Sequence, residues 1–439
     1  MNITTRLVRG NSVSKNTPPS PVSGAKIQLP GKFSGKQAAF GLDNDVLSKH
    51  TMLIGGTGCG KTTLFNHFVS QIKRGMTNDD VMIIFDTKGD FHSRFFDRST
   101  DLVIGNSSQY SKESERWNIY KEIVADGWDE RSFIINTQEI CRSFFEERTK
   151  NTNNAFFPNA ARDLLAAVII AFIREGIKDN ELKKEFFYND KLKEFLDASD
   201  AQLIIELLGD NSPDANAVLS YIKGDNAQSQ GVLAEMYSIV RELLIGVFAD
   251  RGAFSMREFV RNKNKKTLFV EYDLSIGSML TPVYRLLFDL ALKEALGRNR
   301  PQGNVYLICD EFKLLPHLRH IDDGVNFGRS LGVKVFAGIQ SIEQLYEIYG
   351  PSRGRNIAAG FSSVYAFRAN DSATREFVSG LFGKNIVSEE YQTLGNTIVE
   401  KERNGQTVED WDMNSLQVGE AIVGLPFSQP FRFHFDMYK

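Results

Sequence analysis

The chain has 439 residues, 42% of them hydrophobic and 24% charged, with a formal net charge of −3. That length exceeds a single compact core and argues for two domains, or one domain carrying a large insertion. The near-neutral balance does not imply wholesale wrapping of nucleic acid, which usually needs a basic surface, and is compatible with a local basic channel.

Cys59, Cys141 and Cys309 lie far apart and form neither a CxxC pair nor a metal-ligand spacing, so a reducing, cytoplasmic compartment fits. No sequence run approaches the about 18 apolar residues that span a bilayer; the longest is Leu164 to Phe172. Met1 to Gly10 lacks the apolar core of a signal peptide.

Residues 1–24, rich in Ser, Thr, Asn, Pro and Gly, read as a flexible arm. Lys26 to Gly41 has room for a short strand. Thr51 to Ile54 is a short apolar strand that runs into a Gly-rich loop. Thr62 to Lys73 then continues with helical spacing through Leu64, Phe65, Phe68, Val69 and Ile72. Val81 to Phe85 is an unbroken apolar run, the pattern of a parallel strand covered on both faces.

From residue 129 to 261, long amphipathic stretches replace strands. Ala160 to Arg174 and Leu233 to Phe248 are predicted helices, and residues 210–214 (Asp-Asn-Ser-Pro-Asp) a turn between helices. Strand-like runs resume at Thr267 to Tyr272, Val305 to Cys309, Val333 to Ile339, Val364 to Phe367 and Ala421 to Leu425. Strands alternating with helices predict an α/β fold with a mostly parallel sheet. The division that follows is a nucleotide-binding domain from 25–128 and 262–439, interrupted by an all-α insertion domain at 129–261.

The loop Gly55-Gly56-Thr57-Gly58-Cys59-Gly60-Lys61-Thr62-Thr63 follows the phosphate-binding pattern Gly-x4-Gly-Lys-Thr, between strand and helix as that motif requires. Successive backbone N–H groups and the helix N-terminus form an anion cradle, and glycines let the loop bend around it. Lys61 would neutralise the β- and γ-phosphates, and Thr62 would offer its hydroxyl to Mg²⁺. The pattern points to a nucleoside triphosphate, with ATP and Mg²⁺ as the expected ligands.

Val305 to Cys309 is an apolar strand ending in Asp310-Glu311. Asp310 would hold Mg²⁺, directly or through water, and Glu311 would orient and deprotonate the attacking water. An acidic strand end alone is common; behind a phosphate loop it completes a hydrolytic site. Gln340 follows another apolar strand, where sheet ligands bind, and would sense the γ-phosphate. A helix-start role explains Gln340 equally well. Arg261-Asn262-Lys263-Asn264-Lys265-Lys266 is a basic run that a solvated turn also accounts for.

These segments resemble the type IV coupling proteins, the conjugative DNA-transfer ATPases within the FtsK–HerA group of RecA-like P-loop ATPases. His50 to Thr62 looks like that family's loop with its leading His. Phe85-Asp86-Thr87-Lys88-Gly89-Asp90-Phe91 resembles the segment ending its second strand, and Asp310-Glu311-Phe312 its acidic strand end. Its most distinctive stretch is matched by Gly328-Arg329-Ser330-Leu331-Gly332, then Gly338-Ile339-Gln340-Ser341-Ile342-Glu343-Gln344-Leu345 and Tyr349-Gly350. The likeness covers most of residues 40–430, more weakly through the helical block.

The resemblance implies a RecA-like domain assembled as a homo-oligomer, a hexameric ring with ATP at subunit interfaces and DNA in its central channel. It implies that Arg329 acts in trans on the neighbour's γ-phosphate; read alone, Arg329 is a solvated helix residue. Partners would be a relaxase or secretion-system proteins. Typical members carry N-terminal transmembrane helices and this chain shows none, so a cytoplasmic protein, peripheral at the inner face of the cell membrane through a partner, is expected. Two other readings stay open: an ATPase acting with a partner protein in DNA processing, defence or protein export, and a scaffold that binds ATP without turnover.

Overall fold

Alternate residues of the central strands enter two separate apolar cores, one on each face of a sheet. Met52, Ile54, Ile83, Phe85, Leu307, Cys309, Val335 and Ala337 enter one. Leu53, Met82, Ile84, Tyr306, Ile308 and Phe336 enter the other. A sheet covered on both faces buries every strand residue, which is why these segments read as unbroken apolar runs. The computed structural model describes residues 4–15, 24–150, 152–179, 181, 185–211, 215–224, 226–297, 303–392, 398–426 and 428–439.

The described strands are β1 (Thr4–Arg9), β2 (Ile27–Phe33), β3 (Lys36–Leu42), β4 (Thr51–Ile54), β5 (Val81–Asp86), β6 (Leu102–Ile104) and β7 (Thr267–Glu271). They continue with β8 (Val305–Cys309), β9 (Val333–Ile339), β10 (Ser363–Phe367), β11 (Lys384–Gln392), β12 (Ile398–Gln406), β13 (Glu420–Gly424) and β14 (Phe431–Phe435). One 11-stranded sheet runs in the order β3-β2-β14-β13-β10-β4-β9-β8-β5-β7-β6. From β10 to β6 every pairing is parallel; from β10 outward to β3 every pairing is antiparallel. The fold is therefore α/β with a mostly parallel sheet, and the parallel strands all end on one side.

Helix α1 (Lys61–Gly75) follows β4, covering one face through Leu64, Phe65, Phe68, Val69 and Ile72. Between β6 and β7 the chain is helical: α2 (Glu130–Phe144), α3 (Phe156–Lys178) and α4 (Ala227–Leu243) are its longest members. The Asp129 carboxylate accepts from the Ser132 N–H and starts α2. Helix α5 (Gly277–Ala295) returns to the sheet against Phe85 and packs on the helical block.

Ion pairs fasten that block to α5, which itself packs on the sheet. Arg257 binds Asp126 and Glu294, and Arg261 binds the same two carboxylates. Arg285 pairs with Glu147. Asp289 on α5 accepts from the Arg319 and His320 N–H groups downstream of β8. The basic run from Arg261 is thus partly consumed in structure: Arg261 is paired, and Lys263, Asn264 and Lys265 turn through positive φ before β7.

The structure corrects several expectations. Thr4–Arg9, read as part of a flexible arm, forms β1 and pairs antiparallel with β11. A single short strand was expected at 26–41, yet β2 and β3 form a hairpin there. Strands β6, β11, β12 and β14 were not expected. Helix α3 was foreseen shorter, and by length and composition it is apolar enough to cross a bilayer, with mean hydropathy 1.6 over its best window. In this structure 67% of that window is buried against the protein, as in a central core helix. Of the expected turn at 210–214, Asn211 ends a helix that begins at Ala201, and 212–214 lie outside the described residues.

Candidate nucleotide site

The carboxyl ends of neighbouring parallel strands present a row of functional groups. In spatial order they are Arg368 after β10, the Gly-rich loop after β4, Gln340 after β9, Asp310-Glu311 after β8, Asp86 to Lys88 at the end of β5 and Glu271 at the end of β7. Ligands of open α/β sheets bind outside such ends because loops diverge there and leave a crevice.

The loop is shaped by glycine. Gly55 and Gly60 have φ values of 153° and 112°. A Cβ at Gly55 would lie 2.7 Å from the Phe367 Cβ, and one at Gly60 3.0 Å from the Gly419 Cα. Close backbone approach to β10 and to the turn before β13 therefore fixes the loop as well as its bends. Gly56 N–H donates to the Arg368 carbonyl at 2.9 Å, and Gly419 N–H to the Cys59 carbonyl at 2.9 Å. Thr57 and Gly58 are exposed at the crest; Cys59 is buried beneath it, and burial pushes its thiol up despite nearby Lys61.

Lys61 opens α1, and its buried ammonium donates to the Gly55 and Gly56 carbonyls at 2.6 and 3.0 Å. It is thus held curled under the loop, within reach of any phosphate the loop would take. Thr62 follows, and its hydroxyl donates to Asp310 Oδ2 at 2.8 Å. Thr63, next on the helix, is half-buried.

Asp310 is buried, and burial pushes its carboxyl up to about 6; the Thr62 hydrogen bond and the ammonium groups of Lys61 and Lys88 act against that, while Glu311 reinforces it. Gln340 joins three strand ends. Its Nε2 donates to both Glu311 carboxylate oxygens at 3.1 Å, and its Oε1 accepts from the Thr57 hydroxyl at 3.3 Å. The structure therefore brings together the loop, Lys61, Thr62, Asp310, Glu311 and Gln340.

Arg329 is elsewhere. It sits in a short turn, Gly328–Leu331, before β9 begins, at the opposite end of that strand from Gln340. Seven residues of strand separate those ends, roughly 23 Å at the usual rise. Arg329 is exposed and pairs with Asp45 at 2.7 Å. It contributes nothing to the site of its own chain.

Several groups near the loop had no role assigned from sequence. A cavity of about 310 Å³ lies on the β10–β13 side of the loop, lined by Gly56 to Cys59, Arg368, Asn370 and Leu416 to Val418. On the other side, Asp86 lies level with Glu271 in the β5–β7 register. Asp86 accepts from the Lys88, Phe91 and His92 N–H groups at 3.3, 2.8 and 2.9 Å. Burial and the Asp86 charge push the Glu271 carboxyl up to about 9, so one proton stays on the pair. Asp86 stands in a segment that resembles the family's, whereas Glu271 carries no motif and only its place at a strand end signals it.

The donors fit a small divalent cation. Thr62 and Asp310 present hard oxygens to one point beside the phosphate cradle, the minimal protein contribution to a Mg²⁺ otherwise held by substrate phosphates and water. Among the described residues no cluster of three or more His, Cys, Asp or Glu side chains forms a self-sufficient metal cage.

Comparison with known proteins agrees with this geometry. Residues 36–410 match the family of the type IV secretion-system coupling protein DNA-binding domain. The coupling protein TraD of Escherichia coli K12 is 22% identical over 393 residues, covering 86% of this chain and 51% of TraD. The chain therefore spans about half the length of that curated relative. The unbound bacterial conjugative coupling protein TrwBdeltaN70 superposes with a TM-score of 0.72 at 20% identity, over 94% of this chain and 89% of that one. TrwB in complex with a non-hydrolysable ATP analogue gives 0.71 at 20% identity, over 99% and 95%.

Proposed function

The chain belongs to the type IV secretion-system coupling proteins, and on that premise we propose that it is an ATP-hydrolysing motor that moves or recruits DNA for conjugative transfer. The observation that carries the reading is the Thr57–Gln340–Glu311 bridge beside the Thr62–Asp310 contact, since a hydrolytic carboxylate is already tied to the loop that would grip the substrate. A scaffold without turnover has no use for that wiring.

In this mechanism the ATP phosphates lie on the backbone N–H groups of the loop, and Lys61 swings from the Gly55 and Gly56 carbonyls onto the β- and γ-phosphates. The γ end faces Gln340 and Glu311, which follow β9 and β8. The nucleoside therefore extends the other way, into the cavity between the loop, Arg368 and Val418. Thr62 and Asp310 would hold Mg²⁺, which would supply positive charge to the phosphate oxygens. Glu311 takes the proton of the attacking water, and Gln340 orients that carboxylate and senses whether the γ-phosphate is present.

Arg329 acts in trans within a ring of identical chains, hexameric as the family resemblance implies, reaching the neighbour's γ-phosphate. Its position far from its own site is what such a role requires. DNA occupies the central channel, and relaxase or secretion-system proteins are the expected partners. The protein works in the cytoplasm at the inner face of the membrane. The sheet with its flanking strands forms the motor domain, and residues 129–261 form the inserted helical domain.

ATP turnover measured at low salt, with and without single- and double-stranded DNA, tests the reading together with negative-stain images of the same samples. Low salt matters because phosphate contacts weaken steeply with ionic strength. Stimulation by DNA in ring-forming samples is expected. Turnover indifferent to any nucleic acid, with rings present, overturns the DNA reading.

A further inference from the structure

Two lysines act on the Asp310 carboxyl, and only Lys61 belongs to the phosphate loop. Lys88 comes from the other side. Strand β5 pairs with β8 in parallel, with Phe85 level with Cys309, so the next residues, Asp86 and Asp310, emerge side by side. Neighbouring strands are about 4.8 Å apart, and Lys88 stands two residues beyond Asp86, which is within the reach of a lysine side chain.

The segment bearing Lys88 is held in place. Buried Asp86 grips it through three backbone N–H groups, those of Lys88, Phe91 and His92. Gly89 crosses at φ 71°, so close to Tyr110 that a Cβ there would lie 2.6 Å from the phenol oxygen. The Tyr110 hydroxyl and a Glu271 carboxylate oxygen both lie against Gly89. All this fixes the backbone of Lys88 while leaving its side chain exposed, and among the described residues its ammonium has no hydrogen bond or ion pair. An exposed lysine on a rigid mount, with no ion pair among the described residues and near enough to Asp310 to act on its carboxyl, is placed to meet a polyanion.

We propose that Lys88 is a second phosphate-binding cation of the nucleotide site, meeting the γ-phosphate from the side opposite Lys61. This deepens the ATPase reading and rests on it. During hydrolysis the water oxygen bonds to the γ-phosphorus and its proton passes to Glu311. The bond from that phosphorus to the β–γ bridging oxygen breaks, leaving its electron pair on ADP. Lys88 neutralises charge on the equatorial oxygens while this happens. A cation facing charge that develops there contributes more to turnover than to ground-state binding.

The test compares Lys88→Ala and Lys88→Arg with the unaltered chain in three measurements: ATP turnover without DNA, binding of a fluorescent ATP analogue, and the thermal midpoint without nucleotide. Lys88→Ala should lower kcat by about 10- to 100-fold with binding changed by less than about fivefold. Lys88→Arg should recover part of that loss, and the nucleotide-free midpoint should not move. Basal turnover of Lys88→Ala within twofold of the unaltered chain overturns the inference while leaving the ATPase reading intact. Loss of DNA stimulation alone, with basal turnover kept, also overturns it and places Lys88 on the cargo instead. A fallen midpoint that tracks the fallen turnover reduces Lys88 to a structural residue. No turnover by the unaltered chain under any condition would defeat the ATPase reading itself.

Discussion

Gln340 Nε2 donates to both carboxylate oxygens of Glu311 at 3.1 Å, so the residue proposed to sense the γ-phosphate also aims the residue proposed to activate water. The two follow the ends of adjacent strands, and the Thr57 hydroxyl ties the same amide to the crest of the phosphate loop. Glu311→Gln should therefore bind ATP with near-normal affinity and lose turnover by about 100-fold or more. Gln340→Ala should keep binding and lose about 10- to 100-fold in kcat, because an unaimed base is a weaker one. Single-turnover kinetics paired with nucleotide titration checks both; a Glu311→Gln chain that hydrolyses at the unaltered rate removes this carboxylate from the mechanism.

The Thr62–Asp310 contact makes a different prediction, since it concerns the metal rather than the water. Thr62→Ala and Asp310→Asn should each weaken binding of the ATP analogue in the presence of Mg²⁺ and leave metal-free binding nearly unchanged. Titration calorimetry with and without the metal separates the cases. Equal loss in both conditions would show that the two residues serve the fold or the phosphates instead.

Arg329 and Asp45 pair on the surface far from the site of their own chain. Exposed pairs contribute little to stability, so Arg329→Ala should leave the thermal midpoint unchanged while abolishing turnover in assembled rings. Mixing gives the sharper result. Inactive Arg329→Ala and inactive Glu311→Gln chains should regain partial activity together, because some interfaces then combine an intact Arg329 with an intact Glu311. A mixture as inactive as its components argues against action in trans.

Gly338 on β9 packs closely against the acidic strand end. A Cβ there would come within 2.2 Å of the Asp310 carbonyl oxygen. Gly338→Ala must push β9 from β8 and should cost about 1–3 kcal/mol of stability. It should also reduce turnover through the displaced Gln340–Glu311 bridge. Denaturant melts read the first effect and steady-state rates the second; an unperturbed melt would mean the strands part more easily than their packing implies.

Glu271 predicts a pH dependence. Its carboxyl is raised from 4.5 to about 9 by burial and by the Asp86 charge. Between those values the folded chain keeps a proton that the unfolded chain releases. Stability from this group is therefore greatest at the acid end, falls as pH rises across that window, and levels off above it. The slope from one proton is at most about 1.4 kcal/mol per pH unit. Glu271→Gln cannot lose the proton, so its melts should show a shallower decline between neutral pH and pH 9. Parallel profiles for both chains would contradict the protonated assignment.

What the sequence determined was local. The phosphate loop could be read because Gly55, Gly60, Lys61 and Thr62 are contiguous. Asp310-Glu311 could be read because an unbroken apolar run ends there, and strands buried on both faces leave that imprint along the chain. The helical block was visible for the same reason, as a change of apolar period. Tertiary structure decided what depends on partners far away in the chain. Thr4–Arg9 carries no strand signal of its own, since its pairing lies on β11, and its polar residues suit a ribbon as well as a coil. Gln340 could be a helix-start residue or a sensor until the strand order placed it between Thr57 and Glu311. Arg329 could not be located relative to the site until β9 was seen to hold it at the opposite end from Gln340. Lys88 became a candidate only when β5 paired with β8. Apolar periodicity is set residue by residue, whereas the order and register of strands come from closing the whole sheet, and the row of groups along its edge exists only once it has closed.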